Sequence, residues 1–246
     1  MERNLTPPPD TSPAEWITTA LTNFGESVLS VVPSGFQAYL RVFHPAYRRP
    51  QPSEPPTLPV SWAEIAKTHG KVAHAGMQLN ALTGRELFDN DPPPPDFDGW
   101  PVNGSFPSEL AGSLVAALRA HTSTPERCWF AIWAGWGDLR DDDLVRRSPQ
   151  FNLPSREYHL LEGPIESFVA GMAPSRKFPY GYRSPSIFWP DDHAWCVACE
   201  VDFTTTYIGC SETCRSDILA TQELETFPID PATGLGYASD TLNPLD

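Results

Sequence analysis

No run of about 18 apolar residues occurs in this chain of 246, so hydropathy gives no transmembrane helix. The most apolar N-terminal stretch, 16–32, is broken by Asn23, Gly25 and Glu26, and the start carries Pro7, Pro8 and Pro9 together with acids. A secretory signal is therefore not expected, and the cytoplasm is the expected location. The standard catalytic signatures G-x-S-x-G and H-E-x-x-H and the Walker-type loop are missing, so no nucleophile–base pair is legible. No internal repeat is present, which argues against a solenoid. Lysine is confined to Lys67, Lys71 and Lys177. The five cysteines are an odd number without an export signal, which favours free thiols over a disulfide framework.

What is present is enough for a core. Hydrophobic residues make up 40% of the chain and aromatics 11%, too much for wholesale disorder. The 28 prolines cluster outside the periodic segments and mark loops, chiefly 48–59 and 89–101. With 31 acidic and 17 basic side chains the formal charge is -14, which repels phosphate backbones and anionic membranes. Nucleic acid and membrane are not expected as ligands. A cationic protein partner fits the charge, although an acidic surface also serves plain solubility.

Periodicity organises residues 12–230 into one expected domain of α+β class, a mainly antiparallel mixed sheet packed by several helices. A flexible tail is expected over 1–11 and an irregular one over 231–246. Ser12, Pro13 and Glu15 match a capping box and open a helix whose Trp16, Ile17, Ala20, Leu21 and Phe24 share a face. Runs 27–32 and 36–43 flank a Pro-Ser-Gly turn and read as a hairpin. Ser61 and Glu64 repeat the capping box, and the longest helix is expected over 107–121. In 128–134, Cys128, Phe130, Ile132 and Ala134 alternate with Trp129, Ala131 and Trp133, which predicts a central strand covered on both faces. The segment 138–147 reads as a loop, and 164–172 as a helix. Strands are expected at 157–161, 194–203 and 205–208, with a closing helix over 211–224 carrying Cys214, Ile218 and Leu219 inward.

Four cysteines, Cys196, Cys199, Cys210 and Cys214, follow the spacing C-x2-C-x10-C-x3-C, and converging thiolates would hold zinc. On a strand Cys196 and Cys199 face opposite sides, however, and Val197 and Ala198 are poor turn residues. The thiols are therefore read as packing atoms, with no metal site and no cofactor. Asp191 and His193, followed by Glu200 and Asp202, gather acids and an imidazole near strand ends. They could act as cation ligands or as acid and base, or simply form a polar turn with Glu200 and Asp202 on a solvent face. Trp133, Trp136, Trp189 and Trp195 could line a ligand pocket with them, or belong to the core. Gly135-Trp136-Gly137 lacks the spacing of a phosphate loop. His44, His69, His74, His121 and His159 carry weaker signals.

Residues 34–45 (SGFQAYLRVFHP), 128–137 (CWFAIWAGWG) and 187–202 (IFWPDDHAWCVACEVD), with Thr206-Tyr207-Ile208-Gly209, resemble an uncharacterised family of actinobacterial hypothetical proteins over most of 12–230. That resemblance implies a bacterial, cytoplasmic setting and assigns no activity; the preference for Arg over Lys fits a GC-rich genome. Two functions follow from the residues. One is a non-catalytic binding protein for a cationic protein partner, such as an immunity protein facing a basic toxin. The alternative is a small-molecule-binding protein or enzyme with an aromatic cleft near Trp133, Trp136, Trp189 and Trp195. Whether it is an enzyme, and in what oligomeric state it works, stay open at this level.

Overall fold

A computed structural model describes residues 4–84, 93–171 and 183–243. In chain order they form α1 (Glu15–Ala20), β1 (Ala38–Phe43), β2 (Ala46–Arg48), β3 (Leu58–Val60), α2 (Trp62–Thr68), α3 (Leu79–Thr83), α4 (Ala111–Arg119), β4 (Cys128–Trp133), α5 (Asp143–Arg147), β5 (Gln150–Leu153), β6 (Arg156–Gly163), α6 (Ser167–Ala170), β7 (Ile187–Pro190), β8 (Cys196–Ala198), β9 (Thr205–Cys210), α7 (Glu212–Ala220) and β10 (Thr226–Pro228). Eight strands build one sheet in the order β10-β1-β9-β8-β7-β4-β6-β5, and β2 and β3 form a separate ribbon. Every pairing is antiparallel, which gives the α+β class.

Alternation along the strands sorts the core into two layers. Phe130, Ile132, Phe188, Val197 and Ile208 pack on one face against Leu114 and Leu118 of α4, Phe168 of α6 and Ile218 of α7. Trp129, Ala131, Trp189, Cys196 and Tyr207 lie on the other face with Ile17, Leu21, Val28, Val31 and Val32. β4 therefore has the two-faced burial its sequence predicts, between β6 and β7. A third cluster joins Phe43, Val60, Trp62, Ile65, Leu82 and Phe97 beneath the ribbon. Ser61 caps α2 by accepting from Glu64 N, as its sequence signal requires, and Ser211 caps α7 by accepting from Cys214 N.

Several expectations are corrected. Run 27–32 does not pair with β1: Val28–Ser30 is a 3₁₀ turn, and both edges of β1 are occupied by β9 and β10. Ser12 does not cap α1; its own N–H is held by Asp10, and a 3₁₀ turn precedes the helix. The helix stops at Ala20, so Phe24 leaves the apolar stripe and stands 40% exposed. The tail expected over 1–11 is tied down from Asn4 on, because Thr6 exchanges two backbone hydrogen bonds with Glu162 and Leu5 is buried. Asp142 caps a short helix where a loop was read. The helix of 107–121 is shorter, as is the strand of 194–203, and Leu219 is exposed.

The proline segments are ordered where they are described. Tyr47 faces Pro59 across the ribbon, but its backbone hydrogen bonds go to Gly99 on the other side, so the missing proline N–H breaks no ladder bond. The same contact packs 93–101 onto β2 with Phe97 buried, in place of a solvated connector; residues 89–92 of that reading lie outside the described residues. Met172 lies outside them as well, as do residues 173–182 of the polar aromatic loop that the sequence suggests over 173–184, with Tyr180 and Tyr182.

Gly209 in β9 is a packing requirement. A Cβ there would sit 2.3 Å from Phe36 Cδ2 and 2.8 Å from Val32 Cγ1. Gly209→Ala is expected to destabilise by about 1–3 kcal/mol through overpacking, read from denaturant midpoints. Most of that loss should vanish in a Phe36→Ala background; an unchanged penalty there would rule out the clash as its cause.

Candidate functional site

The sheet register decides whether the candidate residues meet. β7 and β8 are antiparallel, with Ile187 opposite Ala198, so the turn 191–195 closes one end of the pair and Glu200 emerges at the other. β4 runs beside β7 with Cys128 opposite Pro190 and Ala131 opposite Ile187, which carries Trp133 to the Glu200 end. At about 3.3 Å per residue, at least roughly 13 Å of strand separates the two groups.

At the first end, Trp189 is buried and Trp129 Nε1 donates to Asp191 Oδ1 at 2.9 Å. Arg127 stands 3.7 Å from Asp191 and over the Trp129 ring. His193 takes a left-handed backbone (φ 54°) at the end of the turn and stacks on Trp16, ring centroids 4.4 Å apart. Burial lowers its pKa, opposed by Asp191 and Asp192. Asp192 accepts from Ser123 N and Oγ, Thr122 and Ala194 N, and so ties the turn to the 122–124 segment. These contacts organise a turn.

At the second end, Glu200 is 6% exposed, not on a solvent face as one reading of the sequence had it. Its Oε1 accepts from Arg156 Nε at 2.9 Å and its Oε2 from Asp202 N at 2.6 Å, while Asp202 accepts from Arg156 NH2 at 2.6 Å. Burial raises the Glu200 pKa against the lowering effect of these donors. For Arg156, burial acts to lower the pKa but the two carboxylates prevail and raise it. Its guanidinium lies 4.8 Å from the Phe24 ring and 5.4 Å from the Trp133 ring. Arg156, Glu200 and Phe24, with Leu21, Ser30, Val31, Leu153, Pro154, Tyr158, Ile187 and Ala198, line a shallow cleft with room for about one water molecule.

The four tryptophans do not share one pocket. Trp195 is buried on the opposite face, edge-on to Phe188, and Trp136 stacks on Arg183 at 3.5 Å while meeting Trp133 edge to face. Of the eight candidate residues, Trp133, Glu200 and Asp202 are gathered around Arg156, and Trp189, Asp191 and His193 form the other group. Arg156 and Phe24 were missed by sequence reasoning. An arginine beginning a strand and a phenylalanine on a helical stripe carry no signal of meeting.

Two further constellations invite chemistry. Cys196 packs on one face of the sheet and Cys199, Cys210 and Cys214 on the other, so the four sulfurs do not surround one point. All five thiols are free and buried, and among the described residues no three His, Cys, Asp or Glu side chains are placed to hold a metal ion. Ser148 Oγ lies 3.1 Å from His159 Nδ1, but its hydroxyl donates to Val145 O at 2.6 Å. The imidazole therefore donates from Nδ1, and its Nε2 accepts from Gln150 Nε2 at 2.9 Å. The serine proton points away from the base, and the pair closes α5 instead of activating a nucleophile.

No protein-family model, curated protein or solved structure matches this chain. Function is accordingly argued from geometry and charge. No helix among the described residues is long and apolar enough to cross a membrane.

Proposed function

We propose that this chain is a non-catalytic cytoplasmic binding protein whose partner is a cationic protein. The observation that carries the reading is the dispersal of the candidate acids and His193 over two ends of the sheet, each engaged in turn-building or ion-pair contacts rather than aimed at a common point. Charge supports it. Arg48, Arg49, Arg119, Arg127, Arg146, Arg156, Arg183 and Arg215 already face carboxylates. Those pairs leave the acidic excess of the -14 chain to set the outer field, which draws a basic partner and speeds its encounter. The small-molecule alternative would have to use the shallow cleft at Arg156, with Trp133 beside its arginine and Trp136, Trp189 and Trp195 placed elsewhere.

The test is native mass spectrometry of the chain purified at low salt from its own host, followed by calorimetry with the isolated partner. A stoichiometric complex with a basic protein, weakening steeply as salt rises, is expected. A stoichiometric small molecule, or a complex indifferent to salt, would replace this reading with the alternative.

A further inference from the structure

We infer that the cationic partner docks on the face of the sheet covered by the two ends of the chain, around Phe24, Glu26, Asp230 and Tyr237. The inference rests on the proposed function and gives it a surface.

The distribution of charge along the chain and the way its ends meet both select this face. No Lys, Arg or His occurs in 4–40 or in 216–246, so every basic side chain except Arg3 lies in 41–215. Ile17, Leu21 and Val28 from one end and Ile229 and Leu235 from the other pack in the same layer, over Trp129 and Tyr207. Ser27 bridges Gly234, Val28 N donates to Thr233 O at 3.1 Å and Leu29 N to Pro231 O at 3.3 Å. Two segments that bring no cation thus form one surface, on which Asp10, Glu15, Glu26 and Asp230 are exposed. Glu26 and Asp230 accept from neutral groups, Asn23 Nδ2 at 3.3 Å and Ala232 N at 2.8 Å, which leaves their charge uncompensated.

The same surface shows apolar groups that the core does not use. Tyr237 is 74% exposed on the turn closed by Ser239 N and Gly236 O, and Phe24 is 40% exposed. Gly234 lies against Glu26 O, so the turn carrying Tyr237 stands beside the one carrying Phe24. An exposed tyrosine is a common anchor at protein interfaces, and an arginine guanidinium stacks on its ring. Carboxylates beside that ring favour a basic partner over a neutral or acidic one. Asp240 accepts from Leu242 N and Asn243 N and holds the C-terminal segment in shape, so binding has little backbone left to order.

The experiment titrates an octa-arginine peptide into the full chain at low salt and maps the amide NMR shifts, with octa-glutamate as control. Saturable shifts centred on 23–27 and 230–239 are expected for octa-arginine alone. Tyr237→Ala and Glu26→Lys, both at exposed positions, should each weaken binding about fivefold. Asp141→Lys makes the same change of net charge beside α5, on the opposite layer with Leu139 and Val145; it should weaken binding by no more than about twofold. Shifts centred on the helical layer, or equal weakening by Glu26→Lys and Asp141→Lys with none by Tyr237→Ala, would overturn the inference and leave the cationic-partner reading standing. If octa-arginine does not bind the unaltered chain, or octa-glutamate binds as well, the reading itself fails and the inference with it.

Discussion

Lowering the pH from 7 to 4 is expected to remove about 3 kcal/mol of stability through His44 alone. This side chain is buried at the end of β1, and Val102 O lies 2.6 Å from Nδ1 while Thr206 Oγ1 lies 2.8 Å from Nε2. A carbonyl only accepts, so Nδ1 carries the proton and Nε2 accepts from the threonine hydroxyl, which in turn faces Cys199 Sγ at 2.9 Å. The chain of donors runs from thiol to hydroxyl to imidazole to carbonyl. Burial pushes the His44 pKa down to about 4, helped by the nearby Arg41 cation and opposed by the Val102 bond. An unfolded histidine takes up its proton near pH 6.5, so between those values the unfolded chain binds more protons than the folded one. The stabilisation is therefore complete above about pH 6.5 and is lost as pH falls toward 4.

Protonation at Nε2 would also make the Thr206 hydroxyl an acceptor from the imidazolium and turn its own proton elsewhere. Glu200 and Glu225 have pKa values raised by burial and act in the opposite direction on acidification. The comparison that isolates His44 is thus the pH dependence of unfolding free energy in the unaltered chain against His44→Gln. The slope between pH 6.5 and 4 should be smaller in the variant by about 3 kcal/mol in total. Parallel curves for the two proteins would sink the assignment.

Asp240→Ala is expected to destabilise by about 3 kcal/mol, the penalty for leaving buried donors without their charged acceptor. Its carboxylate is 1% exposed and accepts from His74 Nε2 at 2.9 Å, Gln78 N at 3.2 Å, Asn243 N at 2.9 Å and Leu242 N at 3.1 Å. Asn243 then bonds both backbone atoms of Val72. Segment 235–243, irregular in secondary structure as the sequence suggests, is thereby clamped over the chain between α2 and α3. Amide exchange should show residues 235–243 losing protection in the variant before the strands do.

The pH signature of Asp240 differs from that of His44. Burial acts to raise its pKa, but hydrogen bonds from Asn243, His74 and Gln78 outweigh that and hold it below the ordinary carboxylate value. Its contribution is present above the unfolded value of about 3.9 and is lost as pH falls through the lower folded one. A destabilisation by Asp240→Ala that persisted unchanged at pH 2 would show that the carboxylate charge is not responsible.

The α+β class and the central place of β4 were legible because alternation of large apolar residues on both sides of 128–133 leaves little room for another element. The cap of α2 was legible for a local reason as well, since Ser61 bonds an N–H group three residues away. The opposite faces of Cys196 and Cys199 followed from the twofold period of a strand. Run 27–32 was misread because Val28, Val31 and Val32 suit a strand equally well, and only the prior occupation of both β1 edges turns them into a wedge on the sheet face. The candidate site suffered for the same reason: Asp191 and Glu200 are near in sequence, yet an antiparallel turn sends them to opposite ends of one strand pair.

The sequence by itself determined what depends on neighbours along the chain: the two covered faces of β4, the start of α2 and the charge. Tertiary structure decided which ends meet. Arg156, Glu200 and Phe24 come from a strand start, a strand exit and a helix overrun, and His44 reaches Thr206 across 162 residues. No local propensity encodes such meetings, because sheet register is set by the summed packing of both faces rather than by any one residue.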